Sequence, residues 1–331
     1  MAEKSRFHVP EEVQRYFKHL DKWTFDPFAF NDVAGGHPLR YLGHELFTRY
    51  DLLAKFKITT ATLDRFLLAV EEGYKRPCNR YHNEFHATDV THSVHYFLSR
   101  VGLMRELDIL ANLTPEQYSD IRTLVVDMVL ATDMSSHFEQ LRAMKAALTV
   151  LGSQVEKSQA LEFILHLADI SNPAKDWELH RQWTSRIMEE FFCQGDRELE
   201  MGLPISPLCD RSVTCIPESQ LGFIEFVVMP AFDVCSEMLD ILLETKTSQA
   251  AAELGLEGHG GKERAWVGPL ADNKRKWKEQ CQSSAREAPA EGRSASNLSL
   301  ASRSSVGVAE GETKKQSPRN SKAFLTPIIS S

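Results

Sequence analysis

Between Glu11 and Thr245 apolar residues recur every three or four positions, without the sustained alternation that strands need, so the pattern predicts a succession of amphipathic helices. Leu63, Phe66, Leu67 and Val70 stand at i, i+3, i+4 and i+7, behind Thr60 as a cap and ahead of Gly73, where a helix should stop. Thr114-Pro115-Glu116-Gln117 reads as a capping box with proline in the first turn, and Ile121, Leu124, Val125, Met128 and Val129 then form a stripe expected to be buried. Residues 160–170 keep the helical period until Ser171-Asn172-Pro173, because proline disfavours helix at the residue before it; Asp169 is thereby placed near a helix C-terminus. Residues 177–193 carry Trp183, Ile187 and Phe191 at helical spacing ahead of Gly195, and Pro217 opens an apolar run that Pro230 should kink.

Composition adds boundaries to this pattern. A chain of 331 residues, 42% hydrophobic, can bury one sizeable core with a tail. From residue 249 onward large apolar groups thin out in favour of alanine, glycine, serine and charge, which predicts a short lead over 1–10, a folded domain over 11–248 and a disordered tail over 249–331. Inside that tail Lys274-Arg275-Lys276-Trp277-Lys278 reads as a solvated charge run, or as a basic helix suited to a calmodulin-like partner or an anionic membrane. The formal net charge of −8 argues against nucleic acid as a partner. The six cysteines form no CxxC pair, and no segment reaches the roughly 20 apolar residues of a membrane span, so a reduced, cytoplasmic protein is expected.

Three short segments carry candidate chemistry. In Tyr81-His82-Asn83-Glu84-Phe85-His86 two histidines four apart share a helix face, suited to metal binding or proton transfer, or simply to hydrogen bonding at a helix start. In Leu165-His166-Leu167-Ala168-Asp169-Ile170 an acid embedded in apolar residues must find a cation or several donors, as a ligand or as a salt-bridged cap. In Ser219-Gln220-Leu221-Gly222-Phe223 an amide and an aromatic project from one helix face, at a binding site or within a core.

Taken in order with Ala131-Thr132-Asp133-Met134, Met188-Glu189-Glu190-Phe191-Phe192-Cys193-Gln194-Gly195-Asp196 and Ile205-Ser206-Pro207-Leu208-Cys209-Asp210, these segments closely resemble the class I 3′,5′-cyclic nucleotide phosphodiesterases. Leu20-Asp21-Lys22-Trp23, Leu46-Phe47-Thr48-Arg49-Tyr50-Asp51 and His86-Ala87-Thr88-Asp89-Val90-Thr91 look most like the calmodulin-dependent subfamily. The resemblance covers residues 10–245 and implies an all-α compact bundle that hydrolyses cyclic AMP and cyclic GMP to the 5′-monophosphate, with Zn²⁺ and Mg²⁺ or Mn²⁺ as two divalent cations. Carried over by motif, His82 matches the general acid, His86 and Asp169 match metal ligands, Gln220 matches the amide on the purine and Phe223 the aromatic stacked on it. Tyr81, Asn172, Trp183, Ile187, Phe191 and Leu208 match pocket positions, and Asp133 matches a residue near the metal-bound waters.

One block of the resemblance is missing. The helix that begins Glu106-Leu107-Asp108-Ile109-Leu110-Ala111 should continue into an adjacent His-Asp pair, whereas Ala111 here runs into Asn112-Leu113-Thr114-Pro115, similar to a much later point of the family pattern. None of the twelve histidines is followed by aspartate, so two of the four protein ligands that the resemblance implies are absent. The cations are therefore expected to be weakly held, with His92, His95, Asp89 and Asp133 as the residues available for recruitment. Impaired hydrolysis follows as the expectation, together with apolar stripes exposed where the block would pack. The alternative is a non-catalytic chain that binds nucleotide or dimerises with itself or with full-length relatives. Asn172 stands where several cyclic AMP-preferring members carry an amide and the calmodulin-dependent subfamily usually a histidine, which leans towards cyclic AMP. Calmodulin is not an expected partner, since in the family its segments precede the catalytic domain and this chain starts only a few residues ahead of it.

Overall fold

The computed structural model describes residues 7–75, 79–100, 115–151, 155–254 and 264–287, which contain helices and turns and no strand. The all-α expectation is met. In chain order the helices are α1 (Glu11–Tyr16), α2 (Pro27–Val33), α3 (Pro38–Arg49), α4 (Leu52–Lys55), α5 (Thr60–Tyr74), α6 (Glu84–Arg100) and α7 (Pro115–Leu130). They continue as α8 (His137–Leu151), α9 (Lys157–Asp169), α10 (Trp177–Glu200), α11 (Ile216–Phe223), α12 (Met229–Leu254) and α13 (Val267–Glu287). The junction Ala111-Asn112 lies outside the described residues.

Local chemistry accounts for the helix ends. Asp26 caps α2 by accepting from the amides of Phe28 and Ala29, with Pro27 in the first turn. The cap of α5 is Thr59 rather than Thr60: its hydroxyl accepts from the Thr62 amide at 3.1 Å from an extended backbone, so Thr60 is already inside the helix. Ahead of Pro230, where a kink is expected, the chain makes a π turn over Ile224–Val228, in which the Met229 amide reaches back to the Ile224 carbonyl. Proline supplies no N–H and crowds the carbonyl four residues back, and widening the ladder by one residue relieves both.

A cluster of Val13, Phe17, Leu20, Phe25, Phe30 and Leu42 ties α1, α2 and α3 together. The larger core gathers Phe97 of α6, Ile164 and Leu167 of α9, Val228, and Phe232 and Leu239 of α12. Trp266, Leu270 and Trp277 also belong to it, which corrects the expected tail over 264–287 alone: these residues carry a helix docked in the core. Trp266, Leu270, Asn273 and Trp277 are buried and spaced at i, i+4, i+7 and i+11, one narrow stripe in an otherwise charged segment, so averaged composition conceals it. Lys274, Arg275 and Lys276 of the basic run pair with Glu225, Asp272 and Glu279 across and along the surface.

The stripe on α7 is also corrected. Leu124 and Met128 lean on the core, but Val125 and Val129, together with Val126 and Leu130, are between 49% and 65% exposed. The Ile121 side chain lies outside the description. No described helix is long and apolar enough to cross a membrane.

Candidate functional site

A slot opens between α6, α9, α10 and α11, and the elements around it explain how each wall forms. The helical run of α6 starts only at Glu84, because Asn83 acts as its cap and accepts from the amides of Phe85 and His86 at 3.1 and 3.4 Å. His82 therefore sits in the turn ahead of the helix, which corrects the expectation that both histidines occupy one helical face. The two rings still meet edge to face at 5.6 Å.

Most of the expected residues line this one slot. Tyr81, His82, His86, Asp169, Asn172, Ile187, Phe191, Leu208, Gln220 and Phe223 all face it, joined by Met134, Ile170, Met188 and Ser219. Trp183 is fully buried behind the wall, edge-on to Tyr81 at 5.4 Å and to His86 at 6.0 Å. Asp133 is not at the wall: it caps the short turn Met134–Ser136 by accepting from the Ser135 amide at 2.8 Å, and its neighbour Met134 takes the lining position.

The apolar wall depends on a close approach. Gly195 of α10 packs against the turn at Ser206-Pro207-Leu208-Cys209, where any β-carbon would overlap the Cys209 carbonyl. That contact lets Leu208, held in the left-handed region at φ 68°, join Ile187 and Phe191 in the slot. On the opposite edge the Thr184 hydroxyl contacts Gln220 Oε1 at 3.3 Å.

His82 is held by a residue that sequence reasoning passed over. One carboxylate oxygen of Glu190 accepts from the amides of Tyr81 and His82 at 2.7 and 3.1 Å, while the other lies 2.6 Å from His82 Nδ1. Burial would raise the Glu190 carboxyl, but the His82 contact and the two amides hold it below its ordinary value. The signal was present: Glu190 shares the α10 face of Ile187 and Phe191 at helical spacing. An imidazole fixed at Nδ1 by a carboxylate, with its other edge at an open slot, can carry a proton at Nε2.

His86 and Asp169 face each other directly, Nε2 to Oδ1, at 2.9 Å. Asp169 is the last residue of α9, where the helix end disfavours a negative charge. Burial also pushes its carboxyl up, but His86, with His166 and His82, outweighs this and holds it below its usual range. The residues available for recruitment are engaged elsewhere. His92 Nε2 bonds the Leu20 carbonyl at 2.9 Å, His95 Nδ1 bonds the Tyr50 hydroxyl at 2.8 Å, and Asp89 pairs with buried Lys175 at 3.2 Å. Among the described residues no group of three or more His, Cys, Asp or Glu converges on a point. One imidazole and one carboxylate, each satisfying the other, do not fit the two cations implied by the resemblance.

Residues 101–249 match the family described as 3'5'-cyclic nucleotide phosphodiesterase. Over 293 residues the chain is 40% identical to the dual specificity calcium/calmodulin-dependent 3',5'-cyclic nucleotide phosphodiesterase 1C of Homo sapiens, covering 70% of this chain and 41% of that protein. It is 39% identical over 295 residues to phosphodiesterase 1 of that description from Drosophila melanogaster, covering 71% and 35%, and 35% identical over 350 residues to phosphodiesterase 1B from Rattus norvegicus, covering 82% and 65%. The chain thus spans less than two thirds of the length of each of these relatives.

Proposed function

We propose that the slot of this chain, which matches the 3′,5′-cyclic nucleotide phosphodiesterase family over residues 101–249 and is 40% identical to a human member, binds a purine nucleotide while hydrolysis of cyclic AMP and cyclic GMP by this chain is weak or absent. The observation that carries this is the contrast within one slot: Gln220, Phe223, Asn172 and the apolar wall are assembled, whereas His86 and Asp169 close on each other at 2.9 Å with no third ligand among the described residues. A base can stack on Phe223 and hydrogen-bond to Gln220, and His82, oriented by Glu190, can hold a proton for a leaving oxygen.

The missing block agrees with the alignment lengths. The stretch aligned to phosphodiesterase 1C runs to 293 positions, more than the 70% of 331 residues taken from this chain, so the relative carries residues without a counterpart here. We place that shortfall at Ala111-Asn112. The exposed face of α7, the first described helix after the junction, supports the placement, since it is apolar and uncovered.

Two measurements on purified full-length chain decide the reading. Turnover of cyclic AMP and cyclic GMP with Mg²⁺ or Mn²⁺ should fall orders of magnitude below that of a complete relative, and comparable turnover refutes impairment. Calorimetry with cyclic AMP and 5′-AMP should detect binding, and its absence removes the nucleotide site.

A further inference from the structure

A buried file of hydrogen bonds runs from the C-terminal helix α13 to the slot. The indole Nε1 of Trp277 lies 2.8 Å from His180 Nε2, His180 Nδ1 lies 3.0 Å from Asn172 Oδ1, and Asn172 Nδ2 lies 3.1 Å from the Tyr81 hydroxyl oxygen. All four side chains are buried, His180 completely.

The direction of this file is set at its far end. An indole nitrogen can only donate, so His180 Nε2 must accept and the neutral imidazole must carry its proton on Nδ1. That proton can only go to an oxygen, which turns the Oδ1 edge of Asn172 towards His180 and its NH₂ towards Tyr81. The Tyr81 oxygen accepts, which leaves its own O–H to be donated, and Tyr81 lines the slot. Burial pushes the His180 imidazole down to about 3, so it stays neutral.

The same helix clamps the backbone that carries Asn172. Asn273 Nδ2 donates to the carbonyls of Pro173 and Lys175 at 2.8 Å each, and from the other side the Trp23 indole donates to the Ala174 carbonyl at 2.7 Å. The turn Asn172–Ala174 is thus held at three successive carbonyls, and α13 also packs along α11, the helix of Gln220 and Phe223.

We propose that Trp277 is a positioning residue which, acting through His180 and Asn172, fixes the Tyr81 hydroxyl as a hydrogen-bond donor to an acceptor atom of the bound nucleotide. The proposal rests on the reading that the slot takes a purine nucleotide. It assigns to the C-terminal helix a part in ligand recognition that no residue of α13 plays by contact.

The test has two independent arms on the full chain. In the first, ¹⁵N–¹H correlation spectra of the histidine rings read the His180 tautomer without ligand. The expected state is Nδ1–H in the unsubstituted chain, with a shift towards Nε2–H in Trp277→Phe, which keeps the ring bulk and removes the donor. An Nε2–H tautomer in the unsubstituted chain overturns the relay. In the second, calorimetry with 5′-AMP should show about tenfold weaker binding for Trp277→Phe, as expected for one misdirected buried hydrogen bond. Tyr81→Phe should lose a similar factor, and the double variant little more than either alone. Trp266→Phe is the control: that indole is buried in the same core but its nitrogen has no hydrogen-bond partner among the described residues, so affinity should hold even if stability drops. Equal losses in Trp266→Phe and Trp277→Phe, or additive losses in the double variant, overturn the proposal. If the unsubstituted chain binds no 5′-AMP, the nucleotide reading fails and the tautomer spectra alone judge the relay.

Discussion

The two sides of the slot differ in how many groups the described chain brings together at each. On the base side, Gln220 and Phe223 stand on α11 and Asn172 and Leu208 in the turns before and after α10, and the polar side-chain atoms of Asn172 and Gln220 meet partners on α10 or Tyr81. On the ion-pair side, His86 and Asp169 come from helices far apart in sequence, and the described chain brings only these two groups together. A binding wall can persist when each piece has a partner of its own, whereas a cation site needs several donors to meet at one point and fails when one contributing segment is lost.

Restoring the stretch that a complete relative carries at the Ala111-Asn112 junction tests this contrast most severely. Metal-dependent turnover should rise by several orders of magnitude in the grafted chain, measured with Mg²⁺ and cyclic AMP. A grafted chain no faster than the original would show that missing ligands are not what limits it.

Stability should divide along similar lines. Leu167→Ala, at a fully buried position of α9, should cost about 2–5 kcal/mol in denaturant unfolding. Val129→Lys, on the uncovered face of α7, should stay within about 0.5 kcal/mol. A comparable loss at Val129 would mean that this face is covered in solution.

Ligand affinity should depend on one side only. Phe223→Ala should weaken 5′-AMP binding about tenfold or more, the scale of losing a base-stacking aromatic. Asp169→Asn should leave the affinity nearly unchanged, and calorimetry on both variants places the binding energy on the base side or refutes that placement.

A modest effect is expected in pH. Burial, with His166 second, pushes the His137 imidazole down to about 4, and burial takes His180 to about 3. Both titrate near 6.5 once unfolded, so the unfolded chain binds more protons below that value and stability falls as pH drops from 6.5 towards 4. Between pH 7 and 6 the loss should be roughly 0.7 kcal/mol per imidazole. His137→Gln should flatten the slope by its share in thermal unfolding scans.

How much of this was legible in the sequence depended on the range over which each feature is specified. Periodicity located α5, α9 and α10 and put Asp169 at a helix end, because amphipathic spacing and proline act over a few residues. The cap of α5 was displaced by one residue, since Thr59 and Thr60 are both capable and only backbone geometry separates them. α13 was missed because four buried side chains dock a helix whose average composition is polar. Glu190 was missed for a different reason: its spacing from Ile187 and Phe191 puts it on their face of the helix, but nothing local names a histidine over a hundred positions away as its partner.

By itself the sequence determined the helical class, the kinship carried by its motifs and the absence of any His-Asp dipeptide. Each of these is a property of residue identity and short-range order. Only tertiary structure decided that His86 and Asp169 satisfy each other, that Val125 and Val129 face solvent, and that Trp277 reaches His180. Those outcomes are settled by which surfaces meet across distant stretches of chain, and a side chain's partner is chosen by burial and donor direction after packing.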